Sequence, residues 1–417
     1  MIQFSKYSLN FITLFSGNIV SQLIPFFVAP ILARLYTPED FAVAANYMAI
    51  VGVFGIIASG RLEMAIPIPE SNSQAKEVLW NAWGFVFLTF FLSTCVVFFQ
   101  NEIGEFYHDE SLKSFLYLVP LGVLSYGLIN IFSNIQVRKR QFTLLSLGKV
   151  TQSLINNLVA ALLGYLIWGV TGLIWSWLLS QFMNAVILMF QSKIESSHYK
   201  KFSWERLKEY RDFPLINSLH AFTDMFATQF LLFWIITFYF GKVELGLFAV
   251  MHRYVRAPIA LITGSSSQLF FAEAAQHKNQ GTSIAPLLKK TLITSFIFGS
   301  IFFIGTMLFG PIIFKWYLGS TWEQAGRFAQ IMAPALTLLF FTSPLSTTPL
   351  IFGKQKLAFI FSFFGYALSL GILFFAASEN WTFTDALWMY SLSFVGYYLF
   401  ILTWYIHLIR KHNARHH

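Results

Sequence analysis

Twelve stretches of about twenty mostly apolar residues, separated by short polar connections, constrain this chain more than any other feature. A helix needs about 20 apolar residues to cross a hydrocarbon core of roughly 30 Å. The runs fall near 9–33, 41–60, 79–99, 114–135, 146–166, 171–191, 214–239, 245–271, 287–310, 327–352, 355–376 and 384–408. Charged residues make up only 11% of the 417, and the mean hydropathy is +0.61, where soluble domains carry about 25% charged residues. Most side chains therefore do not face water. Trp and Tyr gather near the ends of the runs, where amphipathic rings settle at the lipid headgroups. The pattern predicts an all-α membrane protein of about twelve transmembrane helices. The first run is too long for the apolar region of a signal peptide and reads as a first span. Cys95 is the one cysteine, so no internal disulfide forms.

Lys and Arg set the orientation. With the N-terminus inside, 21 of them fall in inner connections, Lys149 among these, and five in outer ones: Arg34, Lys113, Lys242, Lys315 and Arg327. The positive-inside rule then places both termini in the cytoplasm and requires an even number of spans. The net charge of +9 belongs to these loops rather than to a nucleic-acid interface. The longest polar connection follows the sixth span and divides the chain into bundle 1–191, cytoplasmic connector 192–213 and bundle 214–417. Two six-helix bundles around a central cavity are a common transporter layout. Within the connector, Ser203 is placed to cap a short interfacial helix carrying Trp204 and Leu207 on one face.

Ionisable residues inside spans cost about 2.5–3.5 kcal/mol on insertion scales and face a partner or a wet cavity. His220, Asp224 and Gln229 lie in the seventh span; His252, Arg253 and Arg256 lie in the eighth. Asp224, Arg253 and Arg256 fall roughly 12–17 Å along their helices, near the midplane. One reading pairs Asp224 with an arginine as a lock between helices, which leaves the other guanidinium over. The other reading is a cationic cavity for an anionic substrate, since guanidinium donates bidentate hydrogen bonds to phosphate and keeps its charge. Asp224, or His220 with His252, is then a candidate for proton or cation coupling.

The first span is unusually polar. Asn18 and Gln22 share a face, and Pro25 and Pro30 predict a kink or local break. These residues serve either interhelical hydrogen bonding or a bending gate that lines the cavity. Arg34 caps the outer end of this helix, and Thr37-Pro38-Glu39-Asp40 reads as the start of the next. Arg61 and Glu63, at the inner end of the second span, read as a mutual pair or as part of a cytoplasmic cavity mouth. No P-loop, dinucleotide-binding glycine pattern or metal-binding Cys/His spacing occurs. The outer loops are short, which counts against a membrane polymerase. These observations predict no catalysis and no cofactor, and leave H+ or Na+ coupling open.

The stretch Gly17-Asn18 … Ala33-Arg34-Leu35-Tyr36-Thr37-Pro38-Glu39-Asp40-Phe41, with Arg61-Leu62-Glu63-Met64-Ala65-Ile66, resembles the start of bacterial polysaccharide flippases of the O-antigen translocase (Wzx) type. Leu245-Gly246-Leu247-Phe248-Ala249-Val250-Met251-His252-Arg253 … Pro258 is similar to the eighth span of that family, part of the multidrug/oligosaccharidyl-lipid/polysaccharide exporter group. Ala42 and Leu62 depart from the glycine and tyrosine usual there, and neither change removes a charge. The resemblance implies a multi-pass inner-membrane flippase that moves undecaprenyl-diphosphate-linked oligosaccharide, an O-antigen or capsule repeat unit, from the cytoplasmic to the periplasmic leaflet. It also implies alternating access. Arg253 and Arg256, then Arg61, would hold the diphosphate; Asn18 and Gln22 would meet the sugars; Arg34 matches a family motif at the outer rim. The expected partners are the lipid-linked oligosaccharide and membrane lipid, for a monomer that contacts polysaccharide assembly proteins. A multidrug cation antiporter of the same fold would need a net-acidic cavity, against a single Asp224 beside two arginines. A lipid II flippase usually carries extra spans.

Overall fold

Backbone in lipid must satisfy its own hydrogen bonds, and apolar runs of this length do so as helices. The computed structural model describes residues 6–192 and 202–413, and among them every regular element is helical. Twelve long helices account for the described chain: α1 (Lys6–Leu35), α2 (Pro38–Gly55), α3 (Asn72–Phe98), α4 (Val119–Arg138), α5 (Phe142–Tyr165), α6 (Val170–Gln191), α7 (Phe213–Phe240), α8 (Lys242–Gln280), α9 (Ala285–Leu318), α10 (Glu323–Leu345), α11 (Gln355–Ser378) and α12 (Phe383–Asn413). Ten are long and apolar enough to cross a membrane. The other two are α2, which opens on Glu39 and Asp40, and α5, which carries Lys149, Gln152, Asn156 and Asn157. The chain is a multi-pass membrane protein.

By contact the chain divides into Met1–Phe238 and Tyr239–His417. Most of α7, which follows the connector expected at 192–213, packs with the first unit. Met225 sits over Gly52 of α2, and the Asn46 amide donates to Thr237 Oγ1 at 2.9 Å. Residues 193–201 of the expected connector lie outside the described residues. Its later part forms the short helix Trp204–Glu209, capped by Ser203 Oγ as expected. Asn81 of α3 exchanges two hydrogen bonds with the Ser203 backbone, and Arg206 bridges to Glu77 at 3.1 Å.

In the first unit, α3 with α4 and α5 with α6 form antiparallel hairpins, while α1 runs parallel to α5. Gly17 of α1 makes that last approach possible: a Cβ there would lie 2.3 Å from Ser146 Cβ. Leu62, Ile66, Val78, Ala82, Val86, Ile131 and Phe132 form a core where the α2–α3 connection meets α3 and α4. In the second unit α10 is central, with neighbours α8, α9 and α12. Gly310 and Gly326 let α9 and α10 touch backbone to backbone, since a Cβ on Gly326 would fall 2.5 Å from Pro311 Cα.

Two expectations need correction. Of the kink or break expected at Pro25 and Pro30, the break does not occur, since α1 continues through both. Pro25 has no N–H for the Ser21 carbonyl, and Ser153 Oγ of α5 supplies the missing donor at 2.6 Å. The same device recurs at Pro311, where Gln330 Nε2 donates to the freed Met307 carbonyl at 2.7 Å. Second, α8 and α9 extend well past the spans expected at 245–271 and 287–310. At 39 residues α8 is about 58 Å long, nearly twice the hydrocarbon thickness. Its far end packs Phe270 and Ala274 against Ile284 and Leu287 of the α9 approach and Tyr405 and Ile409 of α12.

Candidate functional site

The expected site cations of the second unit lie on α8, where His252 and Arg256 are one turn apart and share a face. Arg256 Nη1 lies 3.1 Å from His252 Nε2. Guanidinium has no acceptor, so the imidazole must accept, which makes it neutral with its proton on Nδ1. Phe248, four residues earlier, stacks on the imidazole with centroids 5.7 Å apart. Ring, imidazole and guanidinium thus form a stripe that fixes where Arg256 points. Arg253 lies three residues from Arg256, its guanidinium carbon 5.7 Å from the Tyr254 ring centre. Both arginines are exposed. The structure therefore brings His252 and Arg256 into contact and sets Arg253 beside them. Nothing in that contact suits His252 to carrying a proton, since protonation would place two cations nose to nose.

In the first unit, His220 and Asp224 lie four residues apart on α7, both exposed and neither without a partner. Helix α7 alternates α-helical and π-helical turns, with π segments at Phe213–Asn217, Phe226–Leu231 and Ile236–Phe240. Phe222, Phe226 and Phe230 stack along it, with centroids 5.4 and 5.0 Å apart.

Arg34 is exposed at the end of α1, and its Nη1 donates to the Pro30 carbonyl at 2.6 Å. It closes its own helix, as expected of a cation at a C-terminus. Thr37 and Asp40 form a reciprocal capping box at the start of α2. Arg61 takes a left-handed backbone conformation, φ 56°, directly after Gly60 at φ 59°. The turn puts Arg61 Nη1 4.0 Å from Glu63 Oε1, a loose pair. Glu63 is buried and takes a short hydrogen bond from Ser59. Burial pushes its carboxyl above the usual range, and the Ser59 hydrogen bond and Arg61 offset part of that.

Asn18 and Gln22 acquire a third member, Lys149, from α5. Lys149 is the eighth residue of α5, and its Nζ donates to Asn18 Oδ1 at 2.8 Å. Gln22 Oε1 is buried without a hydrogen-bond partner. Behind this pair, Gln152 bridges Gln181 and Asn184 of α6. The available signal was the stripe Lys149, Gln152, Ser153 and Asn156, spaced as one face of a helix. A cavity of about 470 Å³ elsewhere in this unit is bordered by Glu70, Lys76 and Arg138 and by none of the nine expected site residues.

A family model described as polysaccharide biosynthesis protein matches residues 31–327. No curated protein matches. Among solved structures the chain is similar to an inward-facing multidrug resistance transporter of the MATE family and MOP superfamily. That match has 15% identity and a TM-score of 0.72, over 95% of this chain and 99% of the other. It is also similar to the lipid II flippase MurJ in an inward closed conformation, at 16% identity and TM-score 0.75, over 98% and 90% of the two chains. A third is a MOP superfamily transporter from Pyrococcus furiosus with a binding pocket of reverse polarity. It shares 14% identity at TM-score 0.63, over 97% and 96%. The likeness at these identities is one of fold.

Proposed function

Because the chain belongs to the polysaccharide biosynthesis protein family, we propose that it is an inner-membrane flippase for an undecaprenyl-diphosphate-linked oligosaccharide, moving it from the cytoplasmic to the periplasmic leaflet by alternating access. The observation that carries this reading is the exposed pair Arg253 and Arg256 on α8, one of them aimed by a neutral His252. Two guanidiniums a turn apart suit the two phosphates of a lipid diphosphate, because each planar fork donates two parallel hydrogen bonds. Arg61 is the next candidate contact. Asn18 and Gln22 offer amides for sugar hydroxyls, and Arg34 stands at the rim. Asp224 and His220 are the candidates for ion coupling; His252 reads instead as a positioning group for Arg256. The cargo is an O-antigen or capsule repeat unit, and the chain works as a monomer beside polysaccharide assembly proteins. The reading favours transport over catalysis, and the α8 cations disfavour a cation-exporting relative.

The test is Arg253→Ala and Arg256→Ala in a strain whose surface polysaccharide depends on this gene. Each variant is expected to insert at normal levels and to lose surface polysaccharide, with lipid-linked repeat units accumulating on the cytoplasmic side. Full surface polysaccharide in both variants would overturn the reading.

A further inference from the structure

We infer that Lys149, held by Asn18, is an anion-recognition residue of the first unit that takes a phosphate of the diphosphate cargo. The inference rests on the flippase reading and deepens it by naming a contact on α5, far in sequence from the arginines of α8.

The first observation is position. Lys149 lies seven residues beyond the start of α5, about 10 Å along it. A lysine inside a span is costly and normally comes with a partner or a wet cavity. Among the described residues its one hydrogen bond is to the neutral amide of Asn18, and it forms no ion pair. A structural role would normally come with a carboxylate. An amide orients the ammonium while leaving its charge uncompensated, which is the arrangement an incoming anion needs.

The second observation is direction. The exposed leucines of α5 are Leu147, Leu154, Leu158 and Leu162, which mark its lipid face. At about 100° per residue, Lys149 sits between roughly 140° and 220° from each of them. It is nevertheless exposed. Asn18 stands in the same relation to Val20, Leu23, Phe27 and Ile31, the exposed apolar residues of α1. Two helices thus turn their lipid faces outward and bring an amide and an ammonium together on the opposite side. Snorkelling into headgroups, the usual resort of a lysine in a span, would need the lipid face.

The third observation is the surroundings. Gln22, one turn from Asn18, keeps a buried carbonyl oxygen without a donor. Gln152, Gln181 and Asn184 satisfy one another behind Lys149 and hold α5 on α6. An amide scaffold therefore presents one cation, with an unused acceptor buried one turn from Asn18. The exposed ammonium matches a phosphate.

The test uses the purified full-length protein in phosphatidylcholine nanodiscs, read by thermal unfolding. Undecaprenyl diphosphate, phosphatidylglycerol and inorganic pyrophosphate are added in separate arms. Wild type and Lys149→Arg are expected to be stabilised by the polyprenyl diphosphate, and Lys149→Met to bind it about tenfold more weakly, the affinity equivalent of one charge-assisted hydrogen bond. If Lys149→Met does not accumulate, Lys149→Gln removes the charge and can still donate to Asn18. Binding by the charge-free variant within about threefold of wild type, roughly 0.65 kcal/mol, overturns the inference and leaves the flippase reading intact. Equal, Lys149-dependent stabilisation by phosphatidylglycerol also overturns it, since Lys149 would then read any anionic lipid. A wild type that ignores the polyprenyl diphosphate defeats the flippase reading itself. Pyrophosphate acting in place of the lipid, with the lipid inert, overturns the assignment of the cargo as lipid-linked.

Discussion

Arg61 shows how backbone and charge can be separated at a single residue. Its φ of 56° lies in the left-handed region, where a side chain costs roughly 1–2 kcal/mol that glycine does not incur. The turn is what brings the guanidinium back toward Glu63, because on a continued α-helix Arg61, two residues from Ser59 and from Glu63, would point away from the face those two share. Arg61→Gly should therefore unfold at a temperature equal to or above that of Arg61→Ala, with a difference of about 1 kcal/mol. If the guanidinium serves the cargo, both variants lose surface polysaccharide alike. If only the turn matters, Arg61→Gly keeps it. Thermal unfolding in detergent and polysaccharide blotting on the same pair of variants decide between the two. The presence of Arg61 and Glu63 near one another was legible from their spacing, but the positive φ was not, since arginine carries no sequence signal for it.

Elements, by contrast, were legible as elements and illegible as partners. Apolar run length located every long helix, and Thr37-Pro38 and Ser203 marked two starts that the structure confirms with side-chain caps. What run length could not supply was contact between segments more than a hundred residues apart. The prolines of α1 are the plainest case: a break is a fair expectation for Pro25 in isolation, and Ser153 of α5 supplies the donor that the Ser21 carbonyl would otherwise lack. Lys149 counts with the inner connection while it stands only three residues into a run read from 146, whereas α5 begins at Phe142 and sets it two turns inside the helix. An aromatic every fourth residue along α7 has a similar hidden consequence. Four residues of α-helix overshoot a full turn by about 40°, so a column of stacked rings drifts around the helix unless wider π turns pull it back. Two of the three π segments of α7, Phe226–Leu231 and Ile236–Phe240, fall within this column. The pairing of α1 with α5 yields the element-scale prediction. A Cβ on Gly17 would lie 2.3 Å from Ser146 Cβ and 3.0 Å from its Cα, so neither rotamer change nor small shift relieves it. Gly17→Val should force α1 away, lengthen the Asn18–Lys149 and Ser153–Ser21 bonds, and expose the Ser21 carbonyl that Pro25 leaves bare. Reduced yield of folded protein by size-exclusion chromatography is expected, with partial recovery in Gly17→Val/Ser146→Gly. Normal yield for the single variant would show that α1 is not held on α5 at all.

At the scale of the whole molecule the question is which way the chain runs through the bilayer. Within each unit, helix directions alternate as successive crossings require. Gly17 meets Ser146 and Ser21 meets Ser153, so α1 and α5 run the same way; Gly148 meets Asn184, so α6 runs opposite to α5. Gly299 meets Thr337 while Gly310 meets Gly326, so α9 and α10 are antiparallel as well. Alternation alone leaves the two orientations mirror-equivalent, and the 21-to-five distribution of Lys and Arg breaks that tie. Moving Lys149 from a loop into α5 lowers the inner count by one and leaves the bias intact. The expected topology has both ends in the cytoplasm, the 100–113 segment outside and the Gly353-Lys354 turn inside. Cys95 is exposed and is the chain's one cysteine, so Cys95→Ser gives a clean background for single reporters. In that background Glu102→Cys should react with a membrane-impermeant maleimide in intact cells, and Lys354→Cys only after the inner membrane is permeabilised. The reverse pattern would invert the protein, and with it the leaflet from which a diphosphate headgroup first reaches Lys149. Labelling of both sites in intact cells would mean that α3 to α11 do not cross in strict alternation, and the twelve-span reading would fall with it.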